Sequence, residues 1–170
     1  MEQPIISGVS QDLSEAKITV TAVPDRPGEA ALVFETLADL GVNLDMIVQN
    51  VSADGSTDIT FTLPTADLGA ASAALLGRQE EIGFGELLQD EGIAKVSLVG
   101  AGMRSHPGVS ATFFRTLADA GVNVEMISTS EIRISVVTRA EDAAKAVQAL
   151  HTSFGLDAEG EAVVYAGTGR

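Results

Sequence analysis

The chain has 170 residues and carries 24 acidic against 10 basic side chains, a formal net charge of −14. A phosphate backbone or an anionic membrane surface would be repelled, so neither nucleic acid nor membrane is an expected partner. With no cysteine and only two histidines, disulfides, thiolate nucleophiles and Cys-based zinc sites are excluded and no metal site is expected.

Hydrophobic residues make up 45% of the chain and aromatics only 4%, so a core built mainly of Val, Ile, Leu and Ala is expected. No apolar run approaches the roughly 18 residues that a membrane span needs. The opening MEQPIISGVS has neither a basic n-region nor an apolar h-region, so the expected location is cytoplasmic.

In chain order, PIISGVS (4–10) reads as a strand that stands before a repeated unit. AKITVTA from Ala16 alternates inward and outward as a half-buried strand does, and AKVSLVG from Ala94 repeats it. PGEAALVFETLADLGVN (27–43) and PGVSATFFRTLADAGVN (107–123) follow, offset by 80 residues. Pro27 and Pro107 are expected at the first helical position, where a missing N–H costs nothing. Leu32, Val33, Leu37 and Leu40 form the helical stripe, and Gly41 and Gly121 stand where a left-handed C-cap is wanted. Strands NLDMIVQNV and NVEMISTS come next, opened by Asn43 and Asn123. In the first copy an Asp54-Gly55 turn leads into TDITFTL, matched in the second copy by IRISVV. Alanine-rich helices ADLGAASAALLGRQ and AEDAAKAVQALHTSF then precede closing strands near FGELLQD and EAVVYA.

The order is βαββαβ twice. It predicts an α+β fold of two ferredoxin-like units in tandem, residues 15–90 and 91–170, each an antiparallel four-stranded sheet with its helices on one face. The leftover N-terminal strand, within residues 1–14, is expected to complete the second unit.

No phosphate-loop or nucleophile-elbow motif is present, and no catalytic residue is expected. GAGMRS from Gly100 approaches a dinucleotide fingerprint, but Ser105 stands at its third glycine and AVPDRP, the matching loop of the first copy, has no such pattern.

The strand–helix corner of the first copy suits a free α-amino acid. A helix N-terminus favours a carboxylate, Gly28 permits close approach, and Asp25 can pair with an ammonium group. Asp25 can equally cap the helix or start a turn. Asn43 and Asn123 can hold both ends of such a ligand or serve only as helix-exit residues. Gln49 and Asn50 are polar on an otherwise apolar strand and suit an interface. In the second copy Ser105-His106 replaces Asp25-Arg26, so the two corners are not equivalent; His106 suits a surface or capping role.

DRPGEA, NLDMIVQNVS, TDITFT, KVSLVGAGMRSHPGV, VEMISTSEIRISV and AVVYAGTGR together resemble the paired ACT domains of aspartate kinase, over essentially the whole chain. The resemblance is strongest to the separate regulatory β subunit that some bacteria make from an internal start in the kinase gene. It implies no catalysis by the chain alone, no cofactor, and feedback control by L-threonine, with L-lysine as a second effector. It implies threonine contacts from Asp25, Gly28, Glu29, Ala30 and Gln49, closed by Asn123 and Val124 of a partner chain; Pro27 and Asn43 complete the expected effector-binding set. Ser52 and Thr60 fall at positions implied to couple or to sense lysine. The implied assembly is a homodimer through the ACT domains, joined to a catalytic α subunit as α2β2. The small regulatory subunit of acetolactate synthase, a valine sensor, is the alternative; SEIRISV and VVYAGTGR argue against it.

Overall fold

The computed structural model describes residues 5–156 and 163–166, the last four as backbone only. The chain divides into two compact units, residues 15–91 and residues 1–14 with 92–170.

In the unit of residues 15–91, β2 (Glu15–Pro24), β3 (Ile47–Val51), β4 (Ser56–Pro64) and β5 (Leu87–Asp90) form a sheet of order β3-β4-β2-β5, antiparallel throughout. Helices α1 (Glu29–Asp39) and α2 (Leu68–Gly77) join the sheet in one core, in which Val33, Leu37 and Leu75 meet Ile18, Val20, Ile59 and Phe61. The second helical segment is broken, against the single helix expected. Thr65–Asp67 is a 3₁₀ turn, and after Gly77 a short α3 (Gln79–Ile82) follows Arg78. The break places the Arg78 guanidinium on Thr36 Oγ1 of α1 at 2.9 Å and, at 2.9 Å each, on both oxygens of Glu81.

The other unit holds β6 (Ile93–Ala101), α4 (Pro107–Asp119), β7 (Met126–Thr129), β8 (Arg133–Arg139), α5 (Ala143–Ser153) and β9 (Val163–Ala166). Its sheet has five strands, not four, because β1 (Ile5–Asp12) lies inside it, in the order β7-β8-β6-β1-β9. Strand β1 runs antiparallel to β6 and parallel to β9, so this sheet is not purely antiparallel. The geometry has a simple cause. In the first unit the closing strand β5 pairs directly with β2. Here β1 takes that place, and β9, keeping the same sense, becomes parallel to the inserted strand. Gly100 makes the approach possible, since a Cβ there would collide with the Ile5 carbonyl oxygen. Phe113, Leu117 and Leu150 pack on Val9, Val96, Leu98, Ile134 and Val136.

The repeated helix ends behave as read. Gly41 and Gly121 take φ of 69° and 72°. In each, the glycine N–H donates to the Ala38 or Ala118 carbonyl, and the next N–H, of Val42 or Val122, donates to that of Leu37 or Leu117. These paired bonds satisfy carbonyls that the helix end would orphan.

Candidate functional site

The two strand–helix corners differ more than their sequences suggest. At Pro107 the expected helix start is found: α4 begins there, after His106. At Pro27 it is not. Helix α1 begins at Glu29, with Gly28 at its N-cap in the left-handed region, φ 97°. The residues before it close a tight turn, with Arg26 N–H on the Pro24 carbonyl at 2.9 Å and Glu29 N–H on the Arg26 carbonyl at 3.3 Å. Left-handed φ is open to glycine without the steric penalty a Cβ brings, and an added Cβ at Gly28 would meet no atom within 4 Å. The corner is therefore shaped by backbone conformation and leaves open space above the glycine.

Asp25 is exposed, and its backbone N–H donates to the Gly55 carbonyl at 2.9 Å. No side chain caps α1, so of the three uses the sequence allows Asp25, helix capping is excluded, and ammonium pairing and the turn remain. Glu29 lies on the first turn of α1, where a carboxylate complements the helix dipole. One of its oxygens meets the Arg26 guanidinium at 3.1 Å. Its other oxygen, Oε2, is buried and has no hydrogen-bond partner among the described residues. A buried acceptor without a donor is costly, and this one lies beside Gly28.

The β3–β4 turn is bonded to the corner through the Asp25 N–H and the Gly55 carbonyl. Asp54 Oδ1 accepts from the Ser56 N–H at 3.0 Å and from the Ser56 hydroxyl at 2.7 Å, and Gly55 takes φ 80°. These two donors, the hydroxyl foremost, hold the Asp54 carboxyl below its ordinary value of 3.8. Ser52 is exposed at the start of this turn, its N–H on the Ser56 carbonyl at 2.9 Å. The turn, Asp25 and Gly28 thus stand together at one end of the unit. Gln49 and Asn50 are exposed on β3, an edge strand. Gln49 stands opposite Ile59, and so on the helix-bearing face. Thr60 lies on the opposite face, where its hydroxyl pairs with that of Thr19 at 3.0 Å.

Asn43 and Asn123 do not open strands. Both are exposed in the connections after α1 and α4, and the strands begin later, at Ile47 and Met126. In the first copy Thr62 Oγ1 accepts the Met46 N–H at 3.0 Å, while the Asp45 N–H donates to the Thr62 carbonyl at 3.1 Å. Val124 is partly buried against the second core. Asn123 and Val124 belong to the other unit.

The second corner holds a cavity of about 320 Å³ whose lining includes Arg104, Ser110, Thr129 and Ser130. His106 Nδ1 lies 2.6 Å from the Gly102 carbonyl, closing the loop. GAGMRS does not serve a parallel nucleotide-binding sheet, since β7, the next strand, pairs antiparallel with β8. A wider groove of about 750 Å³ lies between α4 and α5. It is open, and its two cations are paired, Arg115 with Asp119 at 2.9 Å and Lys145 with Asp142 at 3.4 Å. Among the described residues no cluster of His, Asp or Glu could hold a metal ion, and no helix is long and apolar enough to cross a membrane.

Reading the sequence alone overlooked Asp58, which bonds to the backbone of β2 just before the corner. A signal was present: the repeat offset changes from 78 at Lys17 and Lys95 to 80 at Pro27 and Pro107, so the first corner is shorter by two residues.

The ACT domain family profile matches residues 18–77 and 96–154. The chain is 59% identical over 173 residues to an aspartokinase of Mycobacterium tuberculosis, covering 100% of this chain and 41% of that protein. It thus spans about two fifths of the length of the curated relatives it matches. Among solved structures, the ligand-free regulatory subunit of aspartate kinase from Thermus thermophilus is 43% identical, with a TM-score of 0.84 over 88% of this chain and 99% of that one. A crystal structure of aspartokinase alpha and beta subunits matches with a TM-score of 0.83 at 43% identity, over the same shares of the two chains. The chain belongs to the ACT-domain family, and within it to the tandem-ACT regulatory subunits of aspartate kinase.

Proposed function

We propose that this chain is the sensing subunit of an aspartate kinase and binds L-threonine at its first corner, so that the end product restrains the first step of the pathway. The observation that carries the reading is the asymmetry of the corners. Only the first offers an exposed carboxylate, Asp25, that caps no helix, beside a left-handed Gly28 at the start of α1. Asp25 takes the ammonium of the amino acid, and the N–H groups of the first helical turn from Ala30 onward take its carboxylate beside Glu29, whose own N–H is held by the Arg26 carbonyl. Pro27 stiffens the approach.

The corner is open on one side. Asn123 and Val124 of a second copy close it, with Gln49 and Asn43 contributing from the first. The edge strand β3, with Ile47 and Val51 52% and 69% exposed, supplies apolar surface for that pairing. Ser52 and Thr60 lie near or behind the site and transmit occupancy or answer to lysine. The cavity at the second corner is the place for a second effector. The ACT homodimer engages a catalytic α subunit as α2β2 in the cytoplasm, and ligand acts by favouring the dimer geometry that holds that subunit inactive. The chain itself contributes no catalytic residue and needs no cofactor.

The test is an assay of a catalytic α subunit with ATP and aspartate, with and without this chain. Threonine is expected to inhibit only when the chain is present. Equal inhibition without it, or none with it, would remove the regulatory assignment of the corner.

A further inference from the structure

Strand β2 is bulged immediately before the corner. Its ladder with β4 runs in register from Glu15↔Pro64 to Val20↔Ile59 and resumes at Val23↔Thr57. Thr21 and Ala22 therefore face a single residue, Asp58. Bulges of this kind re-aim the chain that follows them.

Ala22 takes φ 52°, the only non-glycine residue with positive φ among those described. A side chain holds that conformation only when its surroundings over-determine it. Here the surroundings act from both sides. The Ala22 N–H donates to Asp58 Oδ1 at 2.9 Å. Thr21 is fastened to the approach of β5: its N–H donates to the Glu86 carbonyl at 2.9 Å, and its carbonyl accepts the Gly85 N–H at 2.8 Å. Its hydroxyl accepts the Glu86 N–H at 2.9 Å. Three residues after Ala22 the chain reaches Asp25.

The second repeat lacks the device. Its β6–β8 ladder is unbroken from Ile93↔Arg139 to Val99↔Arg133. The hydroxyl pair Thr19–Thr60 has its counterpart in Ser97–Ser135, at 2.7 Å. Stepping two residues back along β4 and β8 from these pairs sets Asp58 against Arg133, so the acceptor is replaced by a cation. By the offset of Lys17 to Lys95, Ala22 corresponds to Gly100, whose φ is not positive. The clamp occurs only in the repeat whose corner carries Asp25.

We propose that Asp58 is a positioning residue of the effector corner. Its carboxylate holds Ala22 left-handed, and the bulge so formed sets where β2 delivers Asp25 beside the start of α1. The proposal rests on the reading of that corner as an amino-acid site. It assigns Asp58 no contact with ligand.

The experiment is calorimetric titration of the full chain with L-threonine for wild type, D58A, D58N and the A22G/D58A double variant, with amide hydrogen exchange at Ala22, or at the glycine that replaces it, as a ligand-independent readout. D58A is expected to weaken threonine by about tenfold or more, the scale of a lost charge-assisted hydrogen bond, and to expose the Ala22 amide to exchange. D58N, whose carboxamide oxygen also accepts, is expected to keep both affinity and protection. A22G/D58A is expected to regain affinity, because glycine adopts the left-handed conformation unaided. Wild-type affinity in D58A, a D58N as weak as D58A, or a double variant with no recovery would each overturn the proposal. A wild-type chain that takes up no threonine would overturn the effector reading and the positioning role with it, while Ala22 exchange would still decide whether Asp58 holds the bulge.

Discussion

The backbone N–H of Asp25 donates to the carbonyl of Gly55 at 2.9 Å, and this bond joins the strand–helix corner to the β3–β4 turn. The side chain that would recognise a ligand ammonium is thus carried on backbone held at both ends, by the bulge at Ala22 and by the turn at Gly55. Asp25→Ala removes the ammonium partner without disturbing that frame. Threonine affinity is expected to fall about ten- to a hundredfold, the range of a hydrogen bond between charged groups, while Ser105→Ala leaves it unchanged. Calorimetry on both variants measures the contrast.

Gly28 and Gly108 are repeat equivalents with opposite expected responses. Gly28 stands at φ 97° with free space around it, so Gly28→Ala costs backbone strain alone, about 1–2 kcal/mol. Gly108 is inside the first turn of α4, its φ is not positive and no atom lies within 4 Å of an added Cβ. Gly108→Ala is expected to gain about 0.5–1 kcal/mol from lower unfolded-state entropy. Urea melts of the two variants give the signs directly.

Gly100→Ala tests the seat of the N-terminal strand. The new Cβ would run into the Ile5 carbonyl oxygen and lie 3.1 Å from Ile6 Cα, both backbone atoms that cannot rotate aside. The expected cost is about 1–3 kcal/mol, as for other overpacked sites, with faster proteolysis within residues 5–12. A variant as stable and as protease-resistant as wild type would contradict the close approach of β1 to β6.

The Asp54 carboxyl titrates below 3.8 because the Ser56 hydroxyl and N–H stabilise its charged form. It therefore supports the turn fully above that ordinary value, and the contribution is lost as pH falls through the lowered folded value. NMR titration of the Asp54 carboxyl carbon is expected to show the depressed midpoint. Ser56→Ala should return it toward the ordinary value.

Much of this architecture is legible in the sequence because it is written twice. Phe34, Thr36, Leu37, Gly41 and Val42 recur with one offset, and both copies close their helices with the same glycine cap. The illegible parts are those where identical residues meet different surroundings. Pro27-Gly28 and Pro107-Gly108 are the same dipeptide, yet only the second starts a helix at its proline, because the shorter first corner spends Arg26 and Pro27 on a turn. Asn43 reads as a strand opener, yet the strand begins only at Ile47. The Ala22 bulge depends on Asp58, a residue 36 positions away; the change of repeat offset marks the corner as altered but does not point to that residue. The candidate effector residues Asp25, Gly28, Glu29 and Ala30 could be named from the sequence, but the residue that aims them could not.

The central claim is that the first corner is an amino-acid receptor, and the measurement closest to it is calorimetric titration of the full chain with L-threonine, with L-lysine and L-valine run alongside. The account predicts saturable threonine binding near one site per chain, lost in Asp25→Ala, and no heat from valine. Saturable valine binding with no response to threonine, or threonine binding undiminished in Asp25→Ala, would contradict it.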